Sequence, residues 1–332
     1  MVLEYIISFG FTLEEAEAIL NNKRISEYSN EAICFKFKEI YNLFIEIGYT
    51  KEDFVKMIKS FPLIILLSVD NIIQKKNNLI RLGYSNQDFL KMSKIYSRIF
   101  GVSTANVNNK QQDMEKLGFS KSNFLKMTRN IPGIYTCSTA SIYKKQSDME
   151  EIGYSKEDFV KMCILLPNIL TISINNIKNK IQDMEKLGYS NEEFIKMSRT
   201  LPSLISFSIE NIKSKYEYME SIGYDRETFL KMTKQLPTLL CLSKENIKNK
   251  IELFKLLELE EIIINDPQKF MQSADLTYAR YMFYKNVKNE IIDINSYKKL
   301  FRNQDYFKKY SGYTNKELTL LYPYYKEKIK TK

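Results

Sequence analysis

A phenylalanine followed three residues later by a methionine recurs six times along the chain: Phe54 and Met57, Phe89 and Met92, Phe124 and Met127, Phe159 and Met162, Phe194 and Met197, Phe229 and Met232. That spacing puts both side chains on one face of a helix, and a large apolar residue four positions further on extends the stripe. The helix must then stop. Pro62, Pro132, Pro167, Pro202 and Pro237 follow directly, and proline lacks the N–H and clashes with the preceding turn; the remaining copy carries Ser97 instead. A five-residue apolar piece such as residues 63–67 comes next, which is too short for a full helix and predicts a single 3₁₀ or irregular turn in the core. Ser68, Ser103, Ser138, Ser173, Ser208 and Ser243 then open a second helical pattern, whose apolar positions include Ile72, Val107, Ile142, Ile177, Ile212 and Ile247.

Gly48, Gly83, Gly118, Gly153, Gly188 and Gly223 close that second helix and stand thirty-five residues apart. Glycine there suits a left-handed C-terminal cap. With the glycine counted as zero, Thr50, Ser85, Ser120, Ser155, Ser190 and Asp225 at +2 are N-caps. Asp53, Asp88, Asp158 and Glu193 at +5 complete capping boxes. Neither helix can bury its stripe alone, so the period predicts an all-α superhelical solenoid of ~35-residue helix–helix–3₁₀ repeats. Residues 1–47 read as a degenerate capping repeat around Gly10 and Thr12, residues 48–257 as six full repeats. Residues 258–332 read as degenerate C-terminal repeats and a basic tail.

Composition narrows the chemistry. The chain has no histidine, which removes His-based triads, HExxH zinc sites and imidazole acid–base catalysis. Cys34, Cys137, Cys163 and Cys241 show no pairing pattern, and the last three fall among apolar neighbours. They read as small core residues in a reducing compartment. No catalytic residue, metal or cofactor is expected. The longest apolar run, residues 61–69, is far short of the roughly 20 residues a bilayer span needs. The N-terminus lacks the cationic flank of a signal peptide and carries too many acids for a transit peptide. An intracellular location is therefore expected: cytoplasm or nucleoid in a bacterium, or an organelle matrix if a presequence has been removed.

Net charge is +10, but residues 1–47 hold eight acids against four bases, which leaves residues 48–332 at +14. A basic body suggests a polyanionic partner. Three series carry it. Lysine fills +8 in every repeat (Lys56, Lys91, Lys126, Lys161, Lys196, Lys231), and +11 is basic in all but one (Lys59, Lys94, Arg129, Arg199, Lys234, with Ile164 the exception). Lysine also fills +27 (Lys75, Lys110, Lys145, Lys180, Lys215, Lys250), with Arg280 in the matching place of a degenerate unit; Lys178, Lys213 and Lys248 add charge at +25. A solvated helix face would carry such residues without any partner. Yet acids are frequent at +4, +5, +29 and +30 and never occur at +8 or +27, and stacking turns each register into a ladder suited to regularly spaced phosphates. Because the +27 lysine adjoins the buried stripe, its stem also covers apolar surface. The aromatics at +1 and +6 read as core rather than as base-stacking groups. Positions +15 and +18 vary, Arg98 among them; they read as unconstrained loop slots in preference to a one-residue-per-base code.

The repeated unit, LGYS-xx-(E/D)F-xx-M-xxxx-P-xLL-xxS-xx-NIKxKI-xx-(M/L)-xx-LG, resembles the repeat of the mitochondrial transcription termination factor (mTERF) family over nearly the whole chain. The resemblance implies a right-handed or half-ring superhelix of triangular units whose basic concave side binds double-stranded DNA. It also implies a non-enzymatic role in transcription termination or regulation. Some family members act on RNA or ribosome assembly instead, and a helical protein-interaction scaffold is the alternative from another class. On this resemblance the +8, +11 and +27 slots, with Arg98, would form the contact of a monomeric protein. The chain departs from the pattern at Ser97, and its bases are mostly Lys. Lysine suits backbone tracking more than the bidentate base contacts of Arg.

Overall fold

Each full repeat starts where an Asx, Ser or Thr side chain can receive a backbone N–H. Thr50, Ser85, Ser155 and Ser190 do so in reciprocal capping boxes with Asp53, Asp88, Asp158 and Glu193, while Ser120 and Asp225 cap alone. Ten-residue first helices follow: Lys51–Ser60, Asn86–Ile95, Lys121–Asn130, Lys156–Leu165, Asn191–Thr200 and Arg226–Gln235. The residue before the proline slot takes φ between −148° and −130°, which ends the helix. Tyr96 adopts the same geometry before buried Ser97 (φ −141°, ψ 82°), so repeat packing alone sets the break and proline reinforces it. The apolar pieces are 3₁₀ helices: Pro62–Leu66, Ser97–Gly101, Pro132–Thr136, Pro167–Leu170, Pro202–Ser206 and Pro237–Cys241.

The second helices are Val69–Leu82, Thr104–Lys116, Thr139–Glu151, Ile174–Lys186, Ile209–Ser221 and Lys244–Leu256. The six repeat glycines that follow have φ from 93° to 116°. At Gly188 the left-handed turn also lets the next repeat close in: a Cβ there would stand 3.1 Å from the Leu230 side chain.

This computed structural model describes residues 2–325, all of whose regular structure is helical. The basic tail expected at the C-terminus lies mostly in residues 326–332, outside the described residues. The chain forms two compact units, Met1–Ile174 and Asn175–Lys332. In the first, the first helices of repeats 1 to 4 pack side by side, the second helices of repeats 1 to 3 do likewise, and the 3₁₀ pieces of repeats 1 to 3 stack. In the second, the helices of repeat 6 pack against Glu261–Asn265 and Ala274–Val287 of the degenerate C-terminal unit. The Phe and Met stripes are buried throughout.

The ends repeat the same devices in worn form. Gly10 has φ 106° and Thr12 forms a capping box with Glu15. Glu258, thirty-five residues past Gly223, takes the left-handed conformation (φ 57°) where the next glycine would stand, and the first helix after it shrinks to five residues. Of the cysteines only Cys163 is fully buried. Cys34 and Cys137 are half-buried and Cys241 is exposed, which departs from the expectation of core cysteines.

Candidate nucleic-acid interface

The three cationic series, uniform in sequence, sit in three different environments. The +27 lysines point between repeats. Lys75, Lys110, Lys145 and Lys180 each donate to the carbonyl at +19 of the following repeat (Val102, Cys137, Ile172 and Phe207), the last residue before the serine cap. Lys215 donates to the Leu240 carbonyl at 2.7 Å, and Lys250 to that of Gln272. Lys110, Lys215 and Lys250 are buried. Five of these ammoniums thus satisfy a carbonyl left over between the 3₁₀ piece and the next helix, and Lys215 one inside the 3₁₀ piece, where an unpaired acceptor would be costly. Burial lowers the pKa of all six, that of Lys250 to about 8. Arg280 plays the same part in the degenerate unit: 1% exposed, it donates to the carbonyls of Leu300 and Arg302 and to Asn315 Oδ1, and lies over the Phe307 ring. The geometry therefore departs from the sequence expectation, in which these residues face a ligand, because each turns its ammonium or guanidinium onto an acceptor inside the stack.

The +11 bases form ion pairs with the +5 acids of the preceding repeat. Lys94 lies 3.3 Å from Asp53, Arg129 Nε 3.0 Å from Asp88, and Lys234 2.6 Å from Glu193; Lys59 reaches Glu15 of the capping unit. Arg199 is exposed. Glu15, Glu193 and Asp88 respond to these partners. Lys59 and Lys234 hold Glu15 and Glu193 below the usual carboxylate range. Burial pushes Asp88 up, but its Ser85 hydrogen bonds and the Arg129 guanidinium outweigh that and leave it low. Two repeats lack a +5 acid: the one with Asn123 precedes the repeat without a +11 base (Ile164), and the one with Thr228 precedes the degenerate unit.

The +8 lysines differ from both. Lys56, Lys91, Lys126, Lys161, Lys196 and Lys231 are all exposed, and none forms an ion pair among the described residues. Four lie on successive first helices of the first unit and two on successive first helices of the second. Lys56 and Lys91 line an open groove with Gln87, Leu90 and Ile95. One helical turn beyond each +8 lysine, on the same face, stands an exposed residue that differs in every repeat: Ser60, Ile95, Asn130, Leu165, Thr200 and Gln235. Position +15 is less open: Arg98 and Asn168 are exposed, whereas Leu63, Gly133, Ser203 and Thr238 are half-buried. Lys178 and Lys213 are exposed on the second helices, and Lys248 lies 3.8 Å from Glu252.

Sequence reasoning missed a second contact between repeats. The buried +1 tyrosine hydroxyl meets a Ser or Thr at +10 of the next repeat: Tyr49 with Ser93 (2.6 Å), Tyr84 with Thr128 (2.5 Å) and Tyr189 with Thr233 (2.7 Å). Since Ser93, Thr128 and Thr233 donate their own protons to the carbonyl four residues back, the tyrosine is the donor. Burial raises the pKa of all three tyrosines. Where the tyrosine is replaced by phenylalanine the partner loses its hydroxyl too, as in Phe119 with Cys163 and Phe11 with Ile58. That covariation within one chain was the available signal.

No helix of the described residues is long and apolar enough to cross a membrane, and no described cluster of His, Cys, Asp or Glu could hold a metal. Comparison with individual curated proteins gives no match. The mTERF family model, however, matches residues 2–113, 111–221 and 137–307, overlapping segments that follow the repeats from the N-terminal cap into the degenerate C-terminal unit. With its period of helix, 3₁₀ piece and helix, the chain belongs to the mTERF family, whose members are generally non-enzymatic and whose membership suggests a nucleic-acid-binding, transcription-related function.

Proposed function

We propose that this chain binds double-stranded DNA as a monomer along the first-helix face that carries the +8 lysines, and regulates or terminates transcription by occupying the duplex. The carrying observation is the sorting of the cations: the +27 series donates to carbonyls within the stack, most of the +11 series pairs with carboxylates, and the +8 series stays exposed with one lysine per repeat. Packed helices lie about 8–10 Å apart, so within each unit a repeat advances by roughly three base pairs of about 3.4 Å along a duplex. An ammonium per repeat then meets backbone phosphate at a regular interval. Lysine at this slot favours phosphate contact over base recognition, and the variable residue one turn on is the side chain best placed to reach the groove.

The test is the salt dependence of affinity for a duplex. Six phosphate contacts predict a log–log slope of about −5, and each Lys→Gln change at +8 should lessen it by about 0.9. Lys→Gln changes at Lys248 or Lys178 should shift it less. A slope near zero, or one indifferent to Lys91→Gln and Lys126→Gln, would remove the basis for this reading. Competition with matched duplex RNA decides between DNA and the RNA alternative.

A further inference from the structure

The helix Gln304–Ser311 in the degenerate C-terminal unit presents a surface unlike any on the repeats. Its inner side is fixed: Phe307 is buried against Phe283 and Tyr284, and Arg280 lies over the Phe307 ring while holding the carbonyls of Leu300 and Arg302. Its outer side carries Tyr306 and Tyr310, one turn apart, 46% and 43% exposed. Their rings are nearly parallel (12°, centroids 6.4 Å apart), and Tyr284 stacks beneath Tyr310 (29°, 6.0 Å). Cations lie on these rings: the Arg302 guanidinium is 4.6 Å from the Tyr306 centroid and the Lys288 ammonium 4.8 Å from that of Tyr310. Lys308 and Lys309 are exposed on the same helix, and residues 285–309 hold seven Lys or Arg against three Asp or Glu. One of those acids, Glu290, is occupied by Lys299.

Exposed aromatic area has a cost in water, and the two tyrosines reach none of the hydroxyl partners that their buried counterparts in the repeats use. Parallel rings flanked by ammonium and guanidinium groups fit a partner with flat faces and regularly placed negative charge. We propose that this face is a stacking platform for single-stranded nucleic acid, Tyr306 and Tyr310 each taking an unpaired nucleobase while Arg302, Lys308 and Lys309 contact the flanking phosphates. Four residues of helix rise about 6 Å, which separates the two rings enough for one base each. A duplex keeps its base faces stacked inside and cannot use the rings, so this platform is distinct from the +8 face. It rests on the reading that the chain binds nucleic acid, but not on which groups hold the duplex.

The experiment measures fluorescence anisotropy of a labelled twelve-nucleotide single strand and of its duplex, with the full chain. Stacking on an aromatic ring contributes about 1–3 kcal/mol per base, so Tyr306→Ala with Tyr310→Ala should weaken single-strand binding at least tenfold and leave duplex binding within twofold. Tyr306→Phe with Tyr310→Phe keeps the rings and should bind the single strand like wild type. Lys308→Gln with Lys309→Gln should reduce the single-strand salt slope by about 1.4. Single-strand affinity that ignores the alanine changes overturns the proposal, as does an equal loss on duplex and single strand. Wild type that binds the duplex but no single strand refutes the platform alone. Wild type that binds neither refutes the duplex reading with it.

Discussion

Two adjacent junctions in the first unit share their helix packing and differ in their polar contacts. Between repeats 2 and 3, Tyr84 donates to Thr128 and also meets Tyr135 (2.7 Å), while Asp88 pairs with Arg129. Between repeats 3 and 4 the same four slots hold Phe119, Cys163, Asn123 and Ile164, and both the hydroxyl contact and the ion pair are replaced by residues that need neither. The first helices pack side by side at both. The lesson is that the apolar stripe holds the stack together, and the polar staples are optional but come as matched sets. A buried hydroxyl whose partner has gone costs about 1–3 kcal/mol, whereas removing both partners is nearly neutral. Partners therefore change together.

If the stripe carries both junctions alike, truncating its phenylalanine should hurt both equally. Phe124→Ala in repeat 3 and Phe159→Ala in repeat 4 should each lower stability by about 3–5 kcal/mol, seen as matching shifts of the urea midpoint. A far larger loss for Phe159→Ala would show that the junction without staples leans harder on its apolar contacts.

The next effect tests the matching itself. Phe119→Tyr places a hydroxyl opposite Cys163 with no strong acceptor and should cost about 1–3 kcal/mol. Adding Cys163→Thr should recover most of that. At the junction of repeats 1 and 2, Ser93→Ala alone should be destabilising by a similar amount, and Tyr49→Phe with Ser93→Ala should lie much nearer wild type. A double-mutant cycle without coupling would break the comparison.

The buried lysines give a smaller effect that acts on every junction. Lys250 titrates at about 8 in the fold because burial disfavours its charge, and near 10.4 when unfolded. The folded pKa is the lower one, so protonation opposes folding, and this group's contribution rises as pH climbs from about 8 towards 10. The buried tyrosines act with the opposite sign only above about pH 10, where unfolded tyrosine ionises and the raised folded groups do not. Between pH 7.5 and 9.5, wild type should therefore gain stability relative to Lys250→Met, whose curve lacks this term. Parallel curves would mean that the ammonium is solvated in the stack.

Much of this was legible in the sequence because a helix leaves a local signature. The serine caps, the proline break, the left-handed glycines and the Phe–Met stripe each act within one repeat, so one repeat suffices to read them. What escaped were contacts between repeats. Asp88 looked complete as half of a capping box, and nothing local says that its carboxylate also faces Arg129, forty-one residues on. The inward turn of the +27 lysines has a different reason. Lys110 stands three residues after Val107 and four before Met114, both buried, so helical periodicity alone puts it on the inner face. Charge argued for the outside, and the following repeat's carbonyl won because it gave the ammonium a partner where it already lay.

The ion pairs carry the smallest expected effect and the clearest sign. Asp88 and Arg129 are partly exposed, and such pairs contribute about 0.2–1 kcal/mol. Asp88 is held below the usual carboxylate range, so its contribution is fully present above the unfolded pKa of about 3.9 and is lost as pH falls through the lower folded value. Asp88→Asn should therefore leave stability near pH 7 lower by under about 1 kcal/mol and flatten the decline between roughly pH 4 and pH 2. The apolar junction offers the converse. Asn123→Asp with Ile164→Arg installs the missing pair at the same slots, and the double variant should gain the acid-sensitive limb that Asp88→Asn loses. Ile164 is half-buried, so the exchange also gives up some apolar contact, and the net change at pH 7 should be close to zero. A new acid limb with little net stability would show that these pairs tune the stack's response to pH and salt and contribute little to its cohesion, which stays with the phenylalanine stripe.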